Sequence, residues 1–201
     1  MITVIDYGMG NLRSVVKAVE KYTDQVQVSS DPTSIQKSKA LIMPGDGAFA
    51  QAMENLSKQG WIDPLKKFIS EKGFFLGICL GFQLLFSNSE EFGQTKGLNI
   101  IPGQVIKFKG DLKVPHMGWN QVNLVGESKF LKQIPSESYF YFIHSYYPQL
   151  EDLSWAVGLT NYKDNFYCVV GKDNLIATQF HPEKSHNIGL KIIENFVEAV
   201  C

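Results

Sequence analysis

An alternation in the first half of the chain restricts the fold more than any other feature. Short apolar runs, closed by glycine-rich turns, take turns with stretches whose apolar residues recur at helical spacing. Ile2–Ile5 reads as a buried strand broken by Gly8-Met9-Gly10-Asn11, after which Leu12, Val15, Val16 and Val19 form one helical face. Residues 26–28 and Ala40–Met43 predict two further strands, the second closed by Pro44-Gly45-Asp46-Gly47. Helices are predicted from Phe49 to about Lys58 and from Pro64, a favourable first helical residue, to about Lys72. Phe74–Ile78 predicts a strand and residues 80–86 a helix leaving it.

Beyond about Asn88 the rhythm changes. Residues 105–108, 120–124, 139–144, 155–160, 166–170 and 175–180 all read as strands. Only a short helix near Phe130 interrupts them before a final amphipathic helix, from about Ile188 to Val200. Alternating strands and helices require a parallel sheet covered on both faces. The strand-rich second half then adds antiparallel strands at its edge. The expected fold is α/β, a three-layer α/β/α sandwich with a mixed, mostly parallel central sheet. It fills one domain over residues 1–201.

A chain of 201 residues can bury a core of this kind without covalent staples. Its 19 basic and 20 acidic side chains leave a formal charge of −1, which offers no field to attract nucleic acid or an anionic membrane. Cys79, Cys168 and Cys201 are odd in number and form no C-x-x-C, so neither a disulfide framework nor a thiolate zinc site is expected. Free thiols favour a reducing compartment, and the cytoplasm is expected. Asp6 interrupts the amino-terminal run too early for a signal peptide, and no apolar run is long enough to span a bilayer.

The strongest chemical signal is Gly77-Ile78-Cys79-Leu80-Gly81-Phe82-Gln83, between a predicted strand and a predicted helix. A nucleophile at such a sharp turn stands clear of the sheet, and flanking glycines permit the tight backbone. The helix start beside Cys79 favours the thiolate. A buried cysteine packed as a small hydrophobe is the competing reading of Cys79. Cys168 lies in an apolar stretch and reads as core, and Cys201, the terminal residue, reads as frayed. Phe180-His181-Pro182-Glu183 supplies a base and an orienting carboxylate at the end of the last apolar strand. In extended chain, residues two apart share a side, so Glu183 can accept the Nδ1 proton of His181 and leave Nε2 for Cys79. Taken alone, H-P-E also fits a surface turn. Pro44-Gly45-Asp46-Gly47 ends another predicted parallel strand, where ligands of α/β sheets bind. Gly45 and the N–H of Leu80 are candidate oxyanion donors, with Gly47 in the same turn.

The elbow with Phe180-His181-Pro182-Glu183 resembles the triad glutamine amidotransferases, and the resemblance covers essentially the whole chain. More narrowly, four segments resemble the glutaminase subunits of imidazole glycerol phosphate synthases. These are Asp6-Tyr7-Gly8-Met9-Gly10-Asn11-Leu12-Arg13-Ser14, Pro115-His116-Met117-Gly118-Trp119-Asn120, Tyr141-Phe142-Ile143-His144-Ser145-Tyr146-Tyr147 and His181-Pro182-Glu183-Lys184-Ser185. The resemblance implies that Cys79 attacks the carboxamide of L-glutamine while His181, held by Glu183, protonates the departing ammonia. It implies that Gln83, Ser145 and Tyr146 hold the glutamine, and that no metal or organic cofactor takes part. It implies a (β/α)₈-barrel cyclase as partner in a heterodimer of histidine biosynthesis, docked through Asn11, Met117, Trp119 and Lys184. A buried core position is the competing reading of Trp119. Asp46 departs from the small apolar residue usual at its place in that family, and its carboxylate faces either the oxyanion or the solvent. A paralogous subunit serving another synthase, or a free-standing cysteine γ-glutamyl hydrolase, are the alternatives these motifs leave.

Overall fold

The computed structural model describes residues 1–110 and 113–200. In chain order the elements are β1 (Ile2–Ile5), α1 (Leu12–Val19), β2 (Val26–Ser29), β3 (Ala40–Met43), α2 (Phe49–Lys58) and α3 (Ile62–Ser70). There follow β4 (Phe74–Ile78), α4 (Leu80–Gln83), β5 (Phe86–Ser89), β6 (Thr95–Lys96), β7 (Ile101–Lys107) and β8 (His116–Leu124). Last come β9 (Ser138–His144), β10 (Tyr146–Leu150), β11 (Ala156–Tyr162), β12 (Asp164–Lys172), β13 (Leu175–Thr178) and α5 (His186–Val200).

A nine-stranded sheet runs in the order β2-β1-β3-β4-β13-β12-β11-β8-β9. From β2 to β13 the neighbours are parallel. From β13 to β9 they are antiparallel, the edge addition expected from the second half of the sequence. β1, β3 and β13 are buried along their whole length, as parallel strands covered on both faces must be. Successive residues point to opposite faces. Val4, Ile42 and Leu76 therefore pack with Val19 of α1 and Ile192 and Phe196 of α5. Their neighbours Ile5, Leu41 and Phe75 pack with Phe49 and Leu56 of α2 and Leu65 of α3. Three layers result.

A second sheet, in the order β10-β7-β5-β6, was not anticipated. Residues 80–86 are apolar on nearly every side, a pattern that suits a buried helix and a buried strand equally. The chain makes one helical turn, ends it at Gln83, and continues into β5 instead of extending the helix to Phe86. Pro148 disguises β10, because proline lacks the N–H of a central strand. Here β10 lies at a sheet edge, with Pro148 opposite Val105, where proline is tolerated. α3 begins at Ile62, two residues before the expected Pro64, and stops at Ser70 before Lys72 turns into positive φ. The reading of Cys201 falls outside the described residues.

For function the decisive register is that of β4 and β13. Gly77 pairs with Ala177 and Ile78 with Thr178, so both strands end level. The residues that follow them, Cys79 on one side and Gln179 to His181 on the other, emerge together at the carboxyl edge of the sheet.

Candidate active site

Cys79 turns the chain from β4 into α4 with φ 54° and ψ −105°, a conformation that strains any residue other than glycine. Its N–H donates to the Thr178 carbonyl at 2.8 Å, and its own carbonyl accepts from Phe82 and Gln83, each at 3.1 Å. The flanking glycines are required by proximity. A Cβ on Gly81 would lie 1.9 Å from the Met43 carbonyl oxygen, and one on Gly77 would lie 3.0 Å from both Ala177 and Gly81. The expected elbow is therefore built by β3, β4 and β13 closing on the backbone around one cysteine.

His181 directs Nδ1 at Glu183 Oε1, 2.8 Å away, with both side chains almost wholly buried. Its Nε2 has no hydrogen-bond partner, which leaves that nitrogen for the Cys79 side. Burial alone would lower the proton affinity of the imidazole. The charge of Cys79, followed by the hydrogen bond and charge of Glu183, outweighs burial and raises its pKa well above the ordinary value. The loop is pinned around the base: the Ser185 hydroxyl donates to the His181 carbonyl at 2.6 Å and accepts from the Tyr141 N–H at 3.0 Å. His181 N–H in turn donates to the Tyr141 carbonyl at 3.0 Å. The structure thus brings together Cys79, His181 and Glu183.

The expected oxyanion donors are not assembled in this state. Leu80 N–H donates to the Gly45 carbonyl at 3.4 Å, so that carbonyl occupies one of the expected donors. Buried Tyr7 holds the same turn by donating from its hydroxyl to the Pro44 carbonyl at 2.6 Å. Burial, then the charges of Cys79 and Asp46, hold the Tyr7 hydroxyl protonated far above its ordinary range. Asp46 points outward, where Oδ1 accepts the Gly10 N–H at 3.1 Å. Gly47 is exposed beside it with φ 98°.

Gln83 is buried, and its Nε2 donates to the Tyr146 carbonyl at 2.8 Å and to Gln179 Oε1 at 3.0 Å. Its oxygen is left to accept. Ser145 and Tyr146 are partly buried at the turn between β9 and β10. Burial, then the carboxylates of Glu91 and Glu90, raise the Tyr146 hydroxyl pKa. Glu91 also accepts the Phe49 N–H that opens α2, at 2.6 Å. Sequence reasoning missed Glu91, which lies in a polar turn without a motif of its own. It also missed Gln179 and the roles of His116 and His144 inside the motifs it quoted. His116 Nδ1 and His144 Nε2 are 3.0 Å apart, and His144 Nδ1 lies 2.8 Å from the Tyr146 carbonyl.

Of the residues expected to dock a partner, Trp119 is 45% exposed and Met117 59% exposed, which removes the core reading of Trp119. The Trp119 indole stacks on His186 at 4.9 Å with an interplanar angle of 4°. Lys184 and His186 share a groove with Ser14 and Lys17 of α1, and Asn11 caps that helix by accepting from Ser14 N–H at 3.1 Å. The four candidates are all exposed, and the His186 and α1 contacts connect them around the His181 loop.

Among the described residues no group of histidine, cysteine and acidic side chains is arranged to hold a metal. No helix there is long and apolar enough to cross a membrane. The family model for glutamine amidotransferase class-I matches residues 3–200. The imidazole glycerol phosphate synthase subunit HisH of Methanocaldococcus jannaschii is 51% identical over 98% of this chain and 99% of that one. Imidazole glycerol phosphate synthase subunit HisH 1 of Methanococcus maripaludis is 48% identical over the full length of both. The subunit HisH of Syntrophotalea carbinolica is 47% identical over 98% of each. A crystal structure of a glutamine amidotransferase superposes with TM-score 0.76 over 100% of this chain and 99% of its own, at 17% identity. PurLQS from Thermotoga maritima also gives 0.76, over 100% of this chain and 98% of that one, at 15% identity. At those identities the likeness bears on the fold alone.

Proposed function

The chain belongs to the class-I glutamine amidotransferase family, and on that premise we propose that it is the glutaminase subunit of an imidazole glycerol phosphate synthase. It hydrolyses L-glutamine to glutamate and ammonia and supplies the ammonia for histidine biosynthesis. The observation that carries this reading is the meeting of a strained, strand-end Cys79 with a buried His181–Glu183 pair. Full-length likeness to subunits of that synthase supports the pathway.

The geometry supports the following course of reaction. His181 Nε2 takes the thiol proton, and the Cys79 sulfur attacks the carboxamide carbon of glutamine. Glu183 stabilises the imidazolium and keeps its ring oriented, as the third member of a triad does. The tetrahedral intermediate collapses as His181 returns the proton to the departing amine, which leaves as ammonia, and a glutamyl thioester remains. Water, deprotonated by the same imidazole, attacks the thioester; glutamate departs and the thiol is restored. The developing oxyanion needs the Leu80 N–H, so the Gly45 carbonyl that now accepts it has to swing away first. Cys79 is only 6% exposed, which supports the same requirement for the turn at residues 44–47 to move before glutamine enters. Gln83, through its free oxygen, with Ser145 and Tyr146, lines the side of the site where the amino-acid end of glutamine is held.

Ammonia released into water would be protonated and diluted, so a docked acceptor is required. The proposed partner is a (β/α)₈-barrel cyclase, bound as a heterodimer through the exposed face of Asn11, Met117, Trp119 and Lys184. The whole chain acts as one glutaminase domain, since its two cores share a single central sheet. A cytoplasmic setting fits the free thiols of Cys79 and Cys168, which reducing conditions preserve.

The test is glutamine turnover by the unmutated chain and by Cys79→Ala, each with and without the barrel partner. Cys79→Ala is expected to bind the partner normally and release no ammonia. The unmutated chain is expected to be slow alone and faster when docked. Turnover by Cys79→Ala at the unmutated rate would reject the nucleophile.

A further inference from the structure

We propose that Gln179 is a positioning residue for the nucleophile: its buried carboxamide aims an N–H at the Cys79 sulfur and holds the thiolate in line with His181. The inference rests on Cys79 being the nucleophile. Gln179 is fully buried at the end of β13, and its Nε2 lies 3.8 Å from Cys79 Sγ. A carboxamide can present either end to a neighbour, so its polarity has to be derived.

One neighbouring group has no choice of role. The Tyr146 carbonyl can only accept. The Gln83 atom 2.8 Å from it is therefore the nitrogen, and the same nitrogen lies 3.0 Å from the Gln179 side chain. The Gln179 atom there has to accept and is the oxygen, which turns the Gln179 nitrogen toward the sulfur. The same carbonyl sets the histidines. His144 donates to it from Nδ1 at 2.8 Å, so Nε2 of His144 accepts from His116 Nδ1 at 3.0 Å. His116 Nε2 then accepts from Asn120 Nδ2 at 3.2 Å, and the second Asn120 proton goes to the Asn161 carbonyl at 2.8 Å. The Gln83 branch alone points the donor of Gln179 at Cys79, and the histidine branch holds the Tyr146 carbonyl from which that polarity is set.

Catalysis needs that donor because of what faces the sulfur from the other side. The Cys79 thiol donates to the Ile143 carbonyl at 3.8 Å. Once the proton has passed to His181, the carbonyl faces an anion that it cannot stabilise. Gln179 can, since hydrogen bonds to ions are the strong ones. The titratable groups whose charges couple to the sulfur are His181, beyond β13, and Tyr7, beyond β1, and the latter stays protonated.

The experiment measures Cys79 alkylation by iodoacetamide against pH, located on the Cys79 peptide, together with kcat and KM for glutamine. It uses the full chain docked to the barrel partner. Gln179→Met keeps the volume and removes the donor. Its alkylation midpoint should rise by about one to two pH units, and kcat should fall roughly 10- to 100-fold, the scale of a hydrogen bond to a charged group. Gln179 does not itself touch glutamine, so the loss should fall mainly on kcat; Gln179→Met also removes the oxygen that accepts from Gln83, and any KM change from that source should be absent in Gln179→Glu, which keeps it. An unchanged midpoint, or a loss confined to KM, would overturn the proposal. Should Gln179→Met not fold, Gln179→Glu keeps the oxygen that accepts from Gln83 and replaces the donor with a second acceptor. The same rise is expected there, and its absence would be equally fatal. If the unmutated chain alkylated at Cys79 still turns over glutamine, the nucleophile assignment itself fails, whatever the Gln179 variants do.

Discussion

His116 and His144 show how a buried residue can be chemically quiet and still matter. Burial lowers the pKa of His116 to about 4 and of His144 to about 3, so both are neutral in the fold. Unfolded, each takes up a proton near pH 6.5. Between those values the unfolded chain binds more protons, so stability is complete above about pH 6.5 and falls as the pH drops toward 4. Urea unfolding across that range should show a steep decline. His116→Phe should make it shallower by about one proton, and an equal slope would mean that His116 is already charged in the fold. Residues of this kind were only half legible. Cys79, His181 and Glu183 stand out because motif and chemistry coincide. Gln179 does not, because a glutamine at a strand end carries no signal until the sulfur 100 positions away is seen beside it.

At the scale of elements, the turn from β4 into α4 depends on a gap of one missing side chain. The atom that a Cβ on Gly81 would strike is backbone, the Met43 carbonyl of β3, which cannot rotate aside. Gly81→Ala is therefore expected to lose about 1–3 kcal/mol or more of stability by overpacking, and glutaminase activity with it. Thermal unfolding and ammonia release check both, and a stable, active Gly81→Ala would show that the elbow can shift. The parallel half of the sheet was readable because each fully buried strand gives an unbroken apolar run and each helix a 3.6-residue period. The small sheet was not. Its strands are disguised by Pro148 in β10 and by the uniform apolarity before β5, and β6 has only two residues.

For the molecule as a whole, the proposed docking surface and the hydrogen-bond network beside the proposed site share a strand. Along β8, His116 points inward to His144 while Met117 and Trp119 are exposed. β9 carries His144 at its end and pairs with β8 in continuous register from His116 opposite His144 to Val122 opposite Ser138. A partner gripping Trp119 thus presses on the pair of strands that orient the Tyr146 carbonyl. Trp119→Ala is expected to weaken binding of the barrel partner by about 2 kcal/mol or more, the scale of a buried aromatic anchor. Titration calorimetry measures this, and unchanged affinity would place the docking face elsewhere.

Because β13 lies beside β4, the proposed mechanism leaves a chain still being made with an idle thiol and nothing to activate it. Synthesis has to pass His181, and the late strand has to slide in next to the early one, before glutamine is at risk. On that mechanism, a product halted before that point would be mute, and an interrupted round of translation would consume no glutamine.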